Sequence, residues 1–182
     1  NKLKINGEIV IGEGELDEAP MLYIGEKVGT TNGPEIDIAV DPLEGTNFAA
    51  NNLPGALSVI AIAEKNNLFN APETYMEKIS AKVSEKGVID LDYSVKKNIL
   101  NLSEYLNKKP ESITACIMDR PRHKSIINEL NKLDVNIKLI TDGDVTGALL
   151  VTEDKYDVDI FLGIGGSPEG VLASAALDAF NC

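Results

Sequence analysis

Tryptophan is absent from this chain of 182 residues, histidine occurs once and cysteine twice. A single histidine, His123, excludes a zinc centre built on several imidazoles. Cys116 stands in the apolar run Ala115-Cys116-Ile117-Met118 and reads as a small buried hydrophobe, while Cys182 is the last residue. Two cysteines so placed give no disulfide framework, which fits a reducing cytoplasm, the expected compartment. Long apolar runs are also missing. The longest, Val59-Ile60-Ala61-Ile62-Ala63, falls far short of the roughly 20 residues of a membrane-spanning helix. There is no basic-then-apolar leader pattern, no internal repeat and no low-complexity linker. Basic residues are scarce relative to acids, 17 against 29, for a formal charge of −12. That balance argues against a nucleic-acid partner and against docking on an anionic membrane, since both are held by excess Lys and Arg.

What remains is a globular composition, with 43% hydrophobic and 25% charged residues. Glu8–Ile11 is a strand candidate, followed by a helix expected over Asp17–Lys27 with Asp17 as its cap. Ile36–Val40 is expected to be a strand ending at Asp41-Pro42, because proline cannot donate to a ladder. Leu57–Ala63 reads as a buried strand. Val95, Ile99, Leu102 and Leu106 recur at helical spacing and predict an amphipathic helix over about 94–107. Beyond it, strands (113–118, 135–140, 158–162) alternate with helices (125–133, 145–151, 169–180), the pattern of parallel βαβ units. A soft boundary near 110 divides a mixed α+β part, 1–110, from a small parallel part, 111–182. The chain starts at Asn1 rather than Met, and its last helical segment reaches Cys182 without a stop signal. A piece of a longer protein, truncated at both ends, is therefore expected.

The carboxyl ends of parallel strands share one edge of a sheet, where open α/β sheets bind ligands. Three segments should meet there: Asp119-Arg120-Pro121-Arg122-His123, Asp142-Gly143-Asp144 and Gly163–Glu169. Arg120 and Arg122 suit phosphate oxygens, or are a solvated pair beside a helix start. Asp142 and Asp144 can accept from sugar hydroxyls, or Asp144 caps the next helix. The Gly163–Gly166 loop either cradles an anion or is a tight strand-to-helix turn, and no Gly-Lys-Ser/Thr follows it to make a nucleotide P-loop. In the first part, Glu13 follows one strand, and Asp41 and Glu44 follow another. Clustered carboxylates need a compensating cation, and oxygen donors without His or Cys favour a hard ion such as Mg²⁺ or Mn²⁺. The alternative is solvated surface, to which Glu15, Asp17 and Glu18 are assigned.

Asp41-Pro42-Leu43-Glu44-Gly45-Thr46 resembles the Asp-Pro-Ile/Leu-Asp/Glu-Gly-Thr/Ser signature of the metal-dependent, lithium-sensitive sugar and inositol phosphatases. The stretches Val10–Gly29, Asn70–Lys78 and Leu162–Val171 narrow the resemblance to class II fructose-1,6-bisphosphatase. Arg120–His123 and Asp142–Asp144 stand in that family's order, so the likeness covers essentially the whole chain. It implies an α+β or α/β fold, a layered αβαβα sandwich that is incomplete here, with a small parallel βαβ second half. It implies Mg²⁺- or Mn²⁺-dependent hydrolysis of the 1-phosphate of fructose 1,6-bisphosphate, a step of gluconeogenesis, by a cytoplasmic enzyme that is a homo-oligomer at full length. Carried over by position, Glu13, Asp41, Glu44 and Glu169 match metal-binding carboxylates, and Thr46, with Asp41 and Glu44, matches the catalytic group that activates water. Glu44, Gly45, Thr46, Tyr75, Arg120, Pro121, Arg122, Asp142, Gly143, Asp144 and Gly166 match substrate contacts. The first part would thus bind metal and the second the sugar phosphate. The family's N-terminal segment, with another metal-binding Asp and a catalytic Lys, has no counterpart here, so the activity is expected of a parent protein. Sedoheptulose 1,7-bisphosphate is an alternative substrate. An inositol-phosphatase-like activity is disfavoured by the arginine pair. A non-catalytic sugar-phosphate- or nucleotide-binding module is the reading from a different class.

Overall fold

Alternating β-branched residues set up the first sheet. The computed structural model describes residues 2–13 and 20–182. Within them β1 (Asn6–Ile11), β2 (Lys27–Val28), β3 (Glu35–Glu44) and β4 (Leu57–Glu64) form a four-stranded sheet in the order β2-β1-β3-β4. β1 and β3 run parallel, and the other pairs are antiparallel. β3 does not stop at Asp41-Pro42 as expected. Its pairing with β4 shifts register between Asp41 and Glu44. The proline, which has no N–H, falls in that irregularity, where no ladder bond is asked of it.

Residues 20–27 are not the second half of a helix. Leu22 (φ 61°) and Gly25 (φ 89°) take left-handed conformations. The Leu22 N–H donates to the Glu26 carboxylate, and the Gly25 N–H reaches Ile9 O at 2.8 Å. The chain therefore folds back on β1 and continues into β2. Asp17, the expected cap, and Glu15 and Glu18 lie outside the described residues.

The second sheet has the order β5-β8-β6-β7, from β5 (Tyr75–Ala81), β6 (Thr114–Met118), β7 (Asn136–Ile140) and β8 (Ile160–Gly166). β6 is parallel to both β7 and β8, as the βαβ pattern implies. β5 is antiparallel to β8 and makes the sheet mixed. The sheets divide between Glu64 and Tyr75, so β5 joins the second sheet although it precedes residue 110. Gly163–Gly166, expected as a loop, is strand. Lys78 pairs with Gly163 and Tyr75 with Gly166. The glycines are there because side chains lie flat on the strand. A Cβ on Gly163 would stand 3.0 Å from the Phe161 ring, and Gly165 and Gly166 carry the Asp144 and Glu169 carboxylates in the same way.

Helices α2 (Val95–Tyr105) and α3 (Lys124–Asn131) cover one face of the second sheet. Ser94 Oγ caps α2 by accepting from the Lys97 N–H at 3.2 Å, and Ile99 and Leu102 from its apolar stripe are fully buried with Ile117, Leu130 and Ile160. α4 (Asp144–Leu149) and α5 (Ser167–Ala179) lie between the sheets and touch strands of both. There Val145 and Leu172 pack with Ile11 and Ala39 of one sheet and Cys116 and Phe161 of the other. Burial pushes the Cys116 thiol up to about 11, the behaviour of an inert hydrophobe. The layers thus alternate β-α-β-α, an incomplete αβαβα sandwich. α1 (Thr46–Ala50) is a single turn after β3. α5 does carry a stop: Asn181 is left-handed (φ 58°), its N–H bonds Asp178 O, and the Cys182 N–H bonds Leu177 O, both at 3.0 Å. This is a Schellman cap built on Asn where Gly is usual. β4, expected to be buried, is an edge strand. Val59 and Ala61 face the core, while Ile60 and Ile62 are 62% and 60% exposed on the other face.

Candidate active site

The carboxyl ends of β6, β7 and β8 meet the end of β3 at a polar cleft of about 290 Å³. β3 contributes Glu44 and β5 contributes Tyr75. Arg120 and Arg122 come from the turn after β6, Asp142 and Asp144 flank the β7–α4 junction, and Gly166 and Glu169 flank the β8–α5 junction. An apolar hollow of about 570 Å³ beside Ile62, Phe69 and α5 is larger but holds no comparable set of convergent charges.

Hydrogen bonds over long sequence separations assemble this edge. The Val145 N–H donates to Glu44 Oε1 at 2.7 Å, joining β3 to the start of α4. The Asn47 N–H donates to Asp142 Oδ2 at 3.0 Å, joining α1 to the end of β7. Gly45 (φ 79°) and Gly143 (φ 84°) stand just before those two helices in conformations that disfavour other residues. Arg120 Nη2 lies 3.5 Å from Asp142 Oδ1. Arg122 donates through Nε to Ile164 O at 2.6 Å, and its guanidinium lies over the Tyr75 ring, 4.9 Å from the centroid. The terminal nitrogens of Arg122 stay free of that backbone bond. His123, fully buried, binds Met118 O through Nδ1 at 2.7 Å and accepts the Ile164 N–H at Nε2, 2.9 Å away.

The acids of the site are in mutual conflict. Burial pushes the Glu44 carboxyl up to about 7, against the Val145 N–H, and the charges of Asp41 and Glu169 raise it further. No ion pair among the described residues involves Asp41, Glu44 or Glu169, and Glu169 Oε2 is buried without a partner. Excess buried negative charge with an orphaned oxygen fits a hard cation bound by oxygen. The donors are not gathered into a finished cage: among the described residues no group of three or more Asp, Glu, His or Cys side chains is arranged to hold an ion. Two of them also spend an oxygen on backbone, Glu44 on Val145 N–H and Asp41 on Leu43 N–H at 2.9 Å.

Of the residues singled out by sequence, Glu44, Tyr75, Arg120, Arg122, Asp142, Asp144, Gly166 and Glu169 line the cleft. Asp41 is not among the lining residues but raises the Glu44 carboxyl, and Gly45, Pro121 and Gly143 shape the backbone beside lining residues. Thr46 is exposed at the first position of α1, and Glu13 is not among the residues that line the cleft. The N–H of Glu13 instead donates to Leu22 O at 2.9 Å. Asp144 does not cap α4, whose cap position is Gly143. It pairs with Lys78 of β5. Sequence reasoning passed over His123 as a structural tie, along with Glu73, Thr74 and Lys78. Their only linear signal was a place beside residues already chosen.

The family model described as bacterial fructose-1,6-bisphosphatase, glpX-encoded, matches residues 1–182. The chain belongs to that family. It is 46% identical over 181 residues to "Fructose-1,6-bisphosphatase 1 class 2" of Escherichia coli K12. It is 47% identical over 181 residues to "D-fructose 1,6-bisphosphatase class 2/sedoheptulose 1,7-bisphosphatase" of Synechococcus sp. CC9902. In each case the alignment takes in 100% of this chain and 54% of the relative, so the chain spans about half the length of the curated relatives it matches. Among the described residues no helix is long and apolar enough to cross a membrane.

Proposed function

We propose that the parent protein is a cytoplasmic phosphoric monoester hydrolase that removes the 1-phosphate of fructose 1,6-bisphosphate, with Mg²⁺ or Mn²⁺ as cofactor. The reading rests on one juxtaposition: an arginine pair shares one cleft with the buried Glu44 carboxylate, which the charges of Asp41 and Glu169 oppose. The terminal nitrogens of Arg120 and Arg122, with Tyr75, hold the non-reacting 6-phosphate, and Asp142 and Asp144 accept from sugar hydroxyls. Gly45, Pro121, Gly143 and Gly166 let the backbone come close to the substrate. Binding energy there aligns the 1-phosphate at the acidic end. Glu44, Asp41 and Glu169, with Glu13 completing the set, would hold the divalent ion, which supplies Lewis-acid neutralisation of the phosphoryl charge. Thr46 orients the water that displaces the sugar oxygen from phosphorus. Its hydroxyl is a poor base and needs a carboxylate to take the proton. In this division of labour residues 1–110 serve the metal and 111–182 the sugar phosphate, and the full-length protein is a homo-oligomer.

Sedoheptulose 1,7-bisphosphate is the second substrate, favoured by the names that the Synechococcus and Prochlorococcus relatives carry. The test is phosphate release from each bisphosphate by the full-length parent with Mn²⁺ or Mg²⁺, with and without chelator, and by Asp41→Asn. Release that needs metal and is lost in Asp41→Asn is expected. Equal, chelator-insensitive rates would end the metal-enzyme reading.

A further inference from the structure

Asp144, which lines the cleft, is ion-paired with Lys78, and the function above leaves the lysine without a role. Both side chains are more than nine-tenths buried, at 7% and 9% exposure. Lys78 comes from the middle of β5 and Asp144 from the first position of α4. The backbone between them is bare by necessity. Gly165 of β8 lies against the Asp144 carboxylate, and a Cβ there would stand 3.4 Å from Lys78 Nζ. A Cβ at Gly165 would also collide with Asp144 Oδ2, so this glycine leaves room for the ion pair.

The pair uses only one carboxylate oxygen. Lys78 Nζ donates to Asp144 Oδ2, while Asp144 Oδ1 is buried with no partner among the described residues. Leaving such an acceptor unmade costs about 1–3 kcal/mol. Asp144 is among the residues that line the cleft, so a ligand seated there can supply the missing donor. Phosphate oxygens are acceptors and cannot, whereas a polyol hydroxyl can. We propose that Lys78 is a positioning residue for sugar recognition: it fixes Asp144 through Oδ2 so that Oδ1 accepts a hydroxyl of the substrate's carbon chain. The inference rests on the bisphosphatase reading of the cleft. It assigns to Lys78 the aim of Asp144, and to the carbohydrate part of the substrate, rather than its phosphates, the contact that depends on it.

The experiment uses the full-length parent and two probes. One is fructose 1,6-bisphosphate as substrate. The other is hexane-1,6-diol bisphosphate as competitive inhibitor, which keeps both phosphates and lacks the intervening hydroxyls. Lys78→Met raises KM for fructose 1,6-bisphosphate about tenfold or more, the loss expected when a hydrogen bond to a charged acceptor is misaimed, with kcat within about threefold. The inhibition constant of the diol bisphosphate stays the same. Lys78→Met/Asp144→Asn shows the same KM as Asp144→Asn alone, because both changes remove one contact. An unchanged KM in Lys78→Met, a loss confined to kcat, or an inhibition constant that worsens in step with KM overturns the proposal. If Lys78→Met does not fold, Lys78→Gln, which keeps a neutral donor beside Asp144, is compared with the wild type in the same way: a raised KM with an unchanged inhibition constant supports the proposal, and an unchanged KM overturns it. A wild-type parent that releases no phosphate from fructose 1,6-bisphosphate would instead overturn the reading of the cleft itself.

Discussion

His123 holds two walls of the cleft in register. Because the Ile164 N–H donates to Nε2, the ring proton sits on Nδ1 and donates to Met118 O. One side chain thereby ties the end of β6 to β8, and Ile164 O receives the Arg122 Nε–H on the same stretch. His123→Phe fills the space but leaves the Ile164 N–H without its acceptor, while Met118 O keeps the Arg120 N–H at 2.9 Å. It should cost about 1–3 kcal/mol in urea unfolding, the cost of one orphaned group. A loss under half a kcal/mol would mean the ring is only packing. Glu44 acts in the opposite sense. An acid whose folded pKa is raised favours the fold in its protonated form, so its contribution is present below the ordinary 4.5 and lost as pH climbs through about 7. Glutamine keeps an acceptor for the Val145 N–H and drops the charge. Glu44→Gln should therefore stabilise the metal-free protein by about 1–3 kcal/mol at pH 8, with little effect at pH 4.5, while abolishing phosphate release. Destabilisation at pH 8 in chelator would show that the carboxylate is not in conflict with its neighbours.

β3 is pinned to its flanks by charge as well as by its ladder. Asp37, on its core face, is fully buried. It accepts from Lys65 Nζ at 3.0 Å and from the Asn66 N–H at 2.6 Å. Lys65 also reaches Glu8 of β1, which Lys27 of β2 contacts too, at 2.6 and 2.5 Å. Burial alone would raise the Asp37 carboxyl, but Lys65 and the backbone donors outweigh it and hold the group below its usual 3.8. Hydrogen bonds from Lys27 and then Lys65 hold Glu8 down to about 2. Lowered acids contribute stability above their unfolded pKa and lose it as pH falls through the folded value. The melting temperature should therefore fall below about pH 4, and less steeply in Asp37→Asn. Lys65→Met, which strands the Asp37 carboxylate, should lower the urea midpoint at pH 7. The loss is smaller than for a fully buried pair, because Lys65 keeps 32% of its side chain exposed. Adding Asp37→Asn should recover part of the loss, and a double variant no better than the single would refute the pairing.

The same elements show what could be read from the chain alone. α2 was legible because its apolar stripe and serine cap are local, and β6, α3 and β7 because their alternation is. Strand β8 was cut short at Gly163 because its glycines answer to Phe161, Asp144 and Glu169, contacts no linear pattern displays. The stop assigned at Pro42 ignored the register shift that a neighbouring strand permits. In the cleft, charged residues at strand ends were visible from type and spacing. Lys78 and His123 were not, since each works through a partner more than 40 positions away.

The order of layers, β-α-β-α, leaves the outer face of the first sheet as the largest apolar liability of the isolated chain. β4 is one of the sheet's two edge strands among the described residues, and Ile60 and Ile62 present most of their surface to water on its outer face. They pair with Val40 and Ile38 of β3, which are half-buried and buried, so the exposed apolar surface there is carried by β4. An unpaired edge beside an apolar face is a template for association with another strand. The formal charge of −12 opposes association at low ionic strength, and salt screens that repulsion beyond a Debye length of about 8 Å at physiological strength. The 182-residue chain should therefore self-associate increasingly as salt rises from about 10 to 150 mM, where the Debye length shortens from about 30 to 8 Å. Ile60→Lys/Ile62→Lys places two charges on the outer face and leaves Val59 and Ala61 in the core. It should restore a monomer at the higher salt with a melting temperature close to that of the unsubstituted chain. Sedimentation velocity on both proteins measures this. A wild-type chain that stays monomeric at 150 mM salt, or a double variant that associates equally, would show that this face does not drive association.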